Sequence, residues 1–227
     1  MKKAAAIEAL KFVKPGMNIG LGTGSTANHF IEALAAKVKE GLDVKGVATS
    51  RASAELAENL GIPLTRLYEN PHLDLTVDGA DEFDPEFRLI KGGGGALLRE
   101  KIVASSSRFM VVIADESMRV KKLGKFPLPV EVLAFGSKAT VWKMERAFKI
   151  LKLDVAISAR TTQDGKFFVT ENDNFIFDCA IGEIPQPERL DALLKSIPGV
   201  IETGLFIGIC GIVLMGTPKG VIEFKRG

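Results

Sequence analysis

Cysteine, histidine and the larger polar aromatics are scarce in this chain, with two Cys, two His, one Trp and one Tyr among 227 residues. Cys179 and Cys210 lie in apolar runs without C-x-x-C spacing, and His29 and His72 are far from both in sequence. Two reduced core thiols are therefore expected, with a disulfide or a zinc site as the lesser alternative. Net charge is also small, +2 with 26% charged residues. Nothing marks the clustered basic face of a nucleic-acid binder, so a small-molecule partner is expected. Long hydrophobic runs are missing too. No stretch approaches the ~18 uninterrupted apolar residues of a membrane span. The first seventeen residues carry the lysines and alanines of a signal peptide, but Glu8, Lys11 and Lys14 interrupt them, which leaves the cytoplasm as the expected compartment.

What the chain has is alternation. Ala6, Ile7, Leu10 and Val13 recur at helical spacing until Pro15 and Gly16 stop them. Met17 to Leu21 reads as a buried strand, followed by a glycine turn and a helix face of Phe30, Ile31, Leu34 and Val38. Further strands are predicted at 44–48, 73–77 and 109–114, with helices at 52–60 and after Gly95. This order predicts an α/β fold, a Rossmann-like parallel-sheet domain over 1–126 plus 203–227. From Lys125 onward the texture changes. A helix is predicted at 140–151, strands at 154–159, 167–170 and 175–179 in hairpin fashion, and a helix at 187–196. Residues 127–202 thus read as a second, smaller α+β domain, and the apolar end of the chain returns to the first sheet.

Three loops after strands carry the chemistry. Gly22-Thr-Gly-Ser-Thr-Ala27 matches the dinucleotide pattern G-x-G-x-x-A, but the second strand ends in Thr49-Ser50 where an acid should hold a ribose diol, and no Walker lysine follows. No nicotinamide cofactor is therefore expected. What is left is a cradle of backbone N–H groups with the hydroxyls of Thr23, Ser25 and Thr26, suited to a phosphate or to sugar hydroxyls, or, more plainly, a helix N-cap. The second loop, Asp78-Gly-Ala-Asp81-Glu82-Phe-Asp84, fails the EF-hand spacing. Asp78 and Asp81 end a buried strand, where a solvated charge would be costly, so they are expected to contact ligand. Glu82 and Asp84 read as surface charge, and a Mg²⁺ site is the alternative. The third loop places Lys91 before four consecutive glycines, Gly92 to Gly95, and Glu100 in the first turns of the helix that follows. An ammonium and a carboxylate flanking a glycine loop make an acid–base pair with an oxyanion site. A glycine linker with solvated charges is the plainer alternative.

Gly-Thr-Gly-Ser-Thr (22–26), Asp-Gly-Ala-Asp-Glu (78–82), Lys-Gly-Gly-Gly (91–94), Arg-Glu-Lys (99–101) and Gly-Lys-Phe-Pro-Leu-Pro-Val-Glu (124–131) are, in order and spacing, similar to the signatures of the type A ribose-5-phosphate isomerase family. The resemblance extends to Ile197-Pro-Gly-Val200 and Gly204-Leu-Phe206 and so spans essentially the whole chain. It implies an aldose–ketose isomerase of the pentose phosphate pathway that uses no cofactor and no metal, forms a homodimer or homotetramer, and has a ferredoxin-like smaller domain. By matching motif it implies Glu100 as the base, with Asp81 and Lys91 as its catalytic partners. Thr23, Gly24, Ser25, Thr26, Asp78, Gly79, Ala80, Asp81, Lys91, Gly92, Gly93 and Gly94 would be the sugar-phosphate contacts. One position departs. The family usually has Asp-x-Ser-Lys-x-Val, with that lysine on the substrate, and this chain has Asp115-Glu-Ser-Met118-Arg-Val.

The implied chemistry agrees with the loops. Moving a carbonyl from C1 to C2 requires removal of the proton α to it, and one carboxylate can return that proton to the neighbouring carbon. Leu97 and Leu98 would desolvate Glu100 and raise its pKa, while the helix N-terminus and Lys101 oppose this. The alternatives are a sugar-phosphate deaminase or CoA transferase with a similar sheet, and a non-catalytic sugar-phosphate-binding regulatory module.

Overall fold

The structure, a computed structural model, describes residues 1–226. The chain begins with α1 (Lys2–Ala9), β1 (Met17–Leu21), α2 (Ser25–Lys39), β2 (Val44–Ala48), α3 (Arg51–Leu60) and β3 (Leu75–Gly79). It continues with β4 (Glu82–Phe83), β5 (Leu89–Ile90), α4 (Leu97–Ser105), β6 (Met110–Asp115), β7 (Leu128–Leu133), α5 (Ser137–Ile150), β8 (Ala156–Ala159) and β9 (Asn174–Ala180). It closes with α6 (Pro187–Lys195), β10 (Val200–Thr203), β11 (Leu205–Phe206), β12 (Cys210–Thr217) and β13 (Gly220–Lys225). Two compact units result. The first holds Met1–Ala80, Arg99–Arg119 and the chain from Gly208 onward; the second holds Asp81–Leu98 and Val120–Ile207.

The first unit is the expected Rossmann-like layer. Its six-stranded sheet has the order β13-β12-β6-β3-β1-β2, parallel except for the β12/β13 hairpin. Every residue of β3 and β6 is buried, as parallel strands require when both faces are covered. Phe30, Ile31 and Leu34 of α2 are fully buried in one cluster with Ile19, Leu21, Leu75 and Val77, each contributing about 1.5–3 kcal/mol by leaving water. Helix α3 is capped at both ends, by the Ser50 hydroxyl accepting the Ser53 N–H and by left-handed Gly61. The strand order reverses between β1 and β3, so the carboxyl ends of these two strands form the switch point where open α/β sheets bind ligands.

The second unit contains a β7-α5-β8-β9-α6-β10 run whose antiparallel sheet has the order β10-β7-β9-β8, the ferredoxin-like arrangement. Alternate residues of β7, Leu128, Val130 and Val132, pack with Met144 and Phe148 of α5 and with Leu190 and Leu194 of α6. A separate three-stranded sheet, β11-β5-β4, was not anticipated. It explains why the units part elsewhere than at 126/127 and 202/203. Pairing of 82–83 with 89–90, and of 89–90 with 205–206, draws residues 81–98 and 203–207 to the second unit. Two strand expectations also change. The third strand begins at Leu75, Leu73 making only an isolated bridge to Ser107, and residues 167–170 contribute only isolated bridges, Thr161 to Phe167 and Val169 to Phe175. No helix of the described residues is long and apolar enough to cross a membrane.

Candidate active site

In the first unit, β1 delivers the glycine turn to the N-terminus of α2. Gly22 is required there by close approach, since a Cβ would collide with the Asp78 carboxylate. Asp78 is fully buried inside β3, and its Oδ1 accepts the N–H groups of Thr23 (3.1 Å) and Gly79 (2.7 Å). The carboxylate therefore braces the turn from below. The Thr23 hydroxyl bonds to those of Thr49 (2.7 Å), Ser50 (2.8 Å) and Ser53 (3.2 Å), and Ser53 in turn donates to the Gly22 carbonyl at 2.7 Å. Sequence reasoning noticed Thr49 and Ser50 only as a missing acid. Gly24 takes φ 101° as the residue before α2, and Ser25 is exposed on the first helical turn while Thr26 is buried. The first-turn N–H groups of such a helix suit an anion. Glu100, also in this unit, lies in the first turn of α4 and is 4% exposed.

In the second unit, the small sheet holds Asp81 and Lys91. The Asp81 N–H donates to Ile90 O (2.8 Å) and the Lys91 N–H to Gly204 O (2.9 Å), one on each side of β5. Lys91 is 3% exposed, with Nζ 5.5 Å from the Phe206 ring centroid. The face of an aromatic ring attracts a cation. Asp81 Oδ2 accepts the N–H of Gly93 at 2.8 Å, which brings together two of the expected site residues. Gly92 is buried, and Gly93 and Gly94 are exposed. Thus Thr23–Thr26, Asp78–Ala80 and Glu100 belong to the first unit, and Asp81 and Lys91–Gly94 to the second.

Residues 45–220 match the family model of ribose 5-phosphate isomerase A (phosphoriboisomerase A). A ribose-5-phosphate isomerase A of Parvibaculum lavamentivorans is 58% identical over 219 residues, 96% of this chain and 95% of that protein. The chain belongs to the ribose 5-phosphate isomerase A family. Among solved structures, the ribose 5-phosphate isomerase A of Methanocaldococcus jannaschii superposes with a TM-score of 0.91 at 41% identity, covering 99% of this chain and 98% of that one. A D-ribose-5-phosphate isomerase in complex with phospho-erythronic acid gives 0.92 at 40% identity, over 99% and 97% of the two chains.

Two features of this isomerase depart from the sequence expectations. Glu82 and Asp84, read as surface charge, are both buried. Glu82 accepts the N–H groups of Gly124 (2.8 Å) and Phe126 (2.6 Å), and burial pushes its carboxyl pKa up against those two bonds. Asp84 is paired with Arg88 at 2.6 Å and also accepts the Glu86 and Arg88 N–H groups. Buried charges need such partners. The departure at Met118 lies in a short 3₁₀ turn, 116–118, opened by Asp115, which accepts the Ser117 N–H at 2.9 Å. Arg119 follows it with its guanidinium stacked 4.9 Å from the Phe224 ring. The two thiols are free and buried, and burial raises both pKa values, Cys210 to about 12, so neither is a nucleophile at neutral pH.

Proposed function

We propose that this isomerase interconverts ribose 5-phosphate and ribulose 5-phosphate through an enediolate, with the Glu100 carboxylate carrying the proton between C2 and C1. The observation that carries the reading is a buried carboxylate in the first turn of the helix that follows the lysine–glycine loop. Lys91 would stabilise the developing enediolate oxygen. Asp81 would orient the sugar hydroxyls while holding the Gly93 amide. The α2 N-terminus with Ser25 would take the phosphate, the Thr23 hydroxyl network and Asp78 acting by fixing that turn. Incubation with ribose 5-phosphate, with ketose measured directly, tests the activity. An amino sugar phosphate and an acyl-CoA, offered in parallel, test the deaminase and transferase readings.

Aldose and ketose differ only in where the oxidised carbon lies, so the reaction consumes no external oxidant. Asp78 and Asp81 are assigned to backbone amides and sugar contact, and the second strand ends in Thr49-Ser50 without a ribose-binding acid, so activity is expected to survive exhaustive chelation and to need no added nicotinamide. Complete loss with EDTA, restored by Mg²⁺ or Mn²⁺, would reassign Asp78 and Asp81 as metal ligands. We place the enzyme in the cytoplasm as a homodimer or homotetramer, which sedimentation of the native protein would check.

The uncharged side chain at Met118 predicts weak substrate binding. The Arg119 guanidinium lies 4.9 Å from the Phe224 ring centroid, which supports reading it as engaged there and not as a substitute for the missing ammonium. A charge-assisted hydrogen bond contributes ~1.5–3 kcal/mol, so Met118→Lys is expected to lower KM about tenfold or more with little change in kcat. An unchanged KM in that variant, together with a large KM rise in Arg119→Ala, would show that the arginine makes the contact.

A further inference from the structure

Arg160, just beyond β8, is bound on every side by groups of the second unit. Its Nε and Nη2 donate to Asp178 Oδ2 and Oδ1 at 2.9 and 2.6 Å, a bidentate pair with both side chains mostly buried. Its Nη1 donates to the carbonyls of Gly92 (2.7 Å) and Gly93 (3.2 Å). Its backbone is pinned as well, N–H to Ile176 O (2.8 Å) and C=O from the Phe168 N–H (2.9 Å). The Phe168 ring lies beneath the guanidinium and against Gly95, where a Cβ would strike it.

We propose that Arg160 is a positioning residue for catalysis, which clamps the Lys91–Gly95 loop by its Gly92 and Gly93 carbonyls and so sets Lys91 and the Gly94 amide toward the substrate. The inference rests on the reading of Lys91 and its glycines as a catalytic loop. In a planar trans peptide, C=O and N–H point in opposite directions. The Gly92–Gly93 peptide is therefore held at both ends, its oxygen by Arg160 and its N–H by Asp81 Oδ2 at 2.8 Å. With the Gly93 carbonyl also on Arg160, the N–H of exposed Gly94 is turned away from the guanidinium. The Gly93 N–H is taken by Asp81 and the Gly95 N–H by the Gly92 carbonyl at 3.0 Å, so the Gly94 amide is the one this arrangement presents. An amide there stabilises an oxyanion, whereas a carbonyl flipped into its place would repel it. A run of glycines has no side chains to impose that orientation, and its backbone freedom is the greatest of any residue. The planar fork of arginine holds both oxygens of a carboxylate and two carbonyls at once, four acceptors against the three N–H groups of a lysine ammonium. The Asp178 carboxylate fixes the fork.

The test compares Arg160→Ala, Arg160→Lys and Asp178→Asn with the wild-type enzyme and with Glu100→Gln. Readouts are kcat and KM for ribose 5-phosphate, thermal unfolding, and the Kd of phospho-erythronic acid, whose carboxylate mimics the enediolate. Arg160→Ala is expected to fold and to lose roughly 10–100-fold in kcat, with KM within about threefold of wild type. The Kd of the mimic should rise by a factor close to the loss in kcat. Arg160→Lys and Asp178→Asn should fall between. A folded Arg160→Ala enzyme with kcat within about twofold of wild type, or a loss confined to KM, would overturn the assignment. If Arg160→Ala does not fold, Arg160→Lys is judged by those same two outcomes. Failure of the underlying reading looks different: wild type forms no ketose, or Glu100→Gln keeps full activity, whatever Arg160 does.

Discussion

Replacing Glu100 by glutamine is expected to abolish isomerisation while leaving substrate binding largely intact. The amide has the shape of the carboxylate, so a side chain only 4% exposed is exchanged without a cavity or an overpacked contact. What it loses is the ability to accept the proton on C2. General bases typically contribute ~10²–10⁴-fold, and here one group both removes and returns the proton, so the loss should reach at least the upper part of that range. The measurement is kcat for ribose 5-phosphate beside the Kd of ribose 5-phosphate itself, which an inactive variant allows to be measured directly. Turnover near the wild-type value would remove Glu100 from the chemistry.

Lys91→Ala should give the second largest effect, on kcat more than on KM. Enediolate charge develops only as the proton leaves, and a group that meets it mainly in the transition state lowers kcat when removed. Loss of one such oxyanion-stabilising donor costs about 10²–10³-fold in kcat. The loop itself should survive, since the Lys91 N–H to Gly204 O bond and the β5 pairings belong to the backbone. A rise in KM with kcat intact would make Lys91 a phosphate anchor instead.

The parts of this fold that were legible in the sequence are those written in local periodicity. Phe30, Ile31 and Leu34 announce α2, and the unbroken apolar run at 110–114 announces a strand covered on both faces. The position of Glu100 in the first turn of α4 follows from where the glycines stop. Interactions between residues distant in the chain were not legible. Glu82 reads as surface charge because the amides that receive it belong to Gly124 and Phe126, and nothing near it in sequence hints at either. The two-residue strands β4, β5 and β11 are too short to show alternation, yet they hold Asp81 and Lys91 and shift the division between the units. The fingerprint marks Thr23 as a ligand contact, but gives no sign that its hydroxyl also bonds to Thr49, Ser50 and Ser53 of the next strand end and helix. Arg160 had no signal at all, its carbonyl partners lying on the far side of α5 in sequence.

The most direct test of the account is solvent labelling. Wild-type enzyme and Glu100→Gln are incubated with ribose 5-phosphate in deuterated water, and each carbon is followed by NMR until the wild-type reaction has turned over many times at equilibrium. Proton transfer through Glu100 predicts deuterium at C1 of ribulose 5-phosphate and, through the reverse reaction, at C2 of ribose 5-phosphate, with neither label forming in the variant. Equilibration by the wild-type enzyme without deuterium at either carbon, or labelling by Glu100→Gln at the wild-type rate, would contradict it.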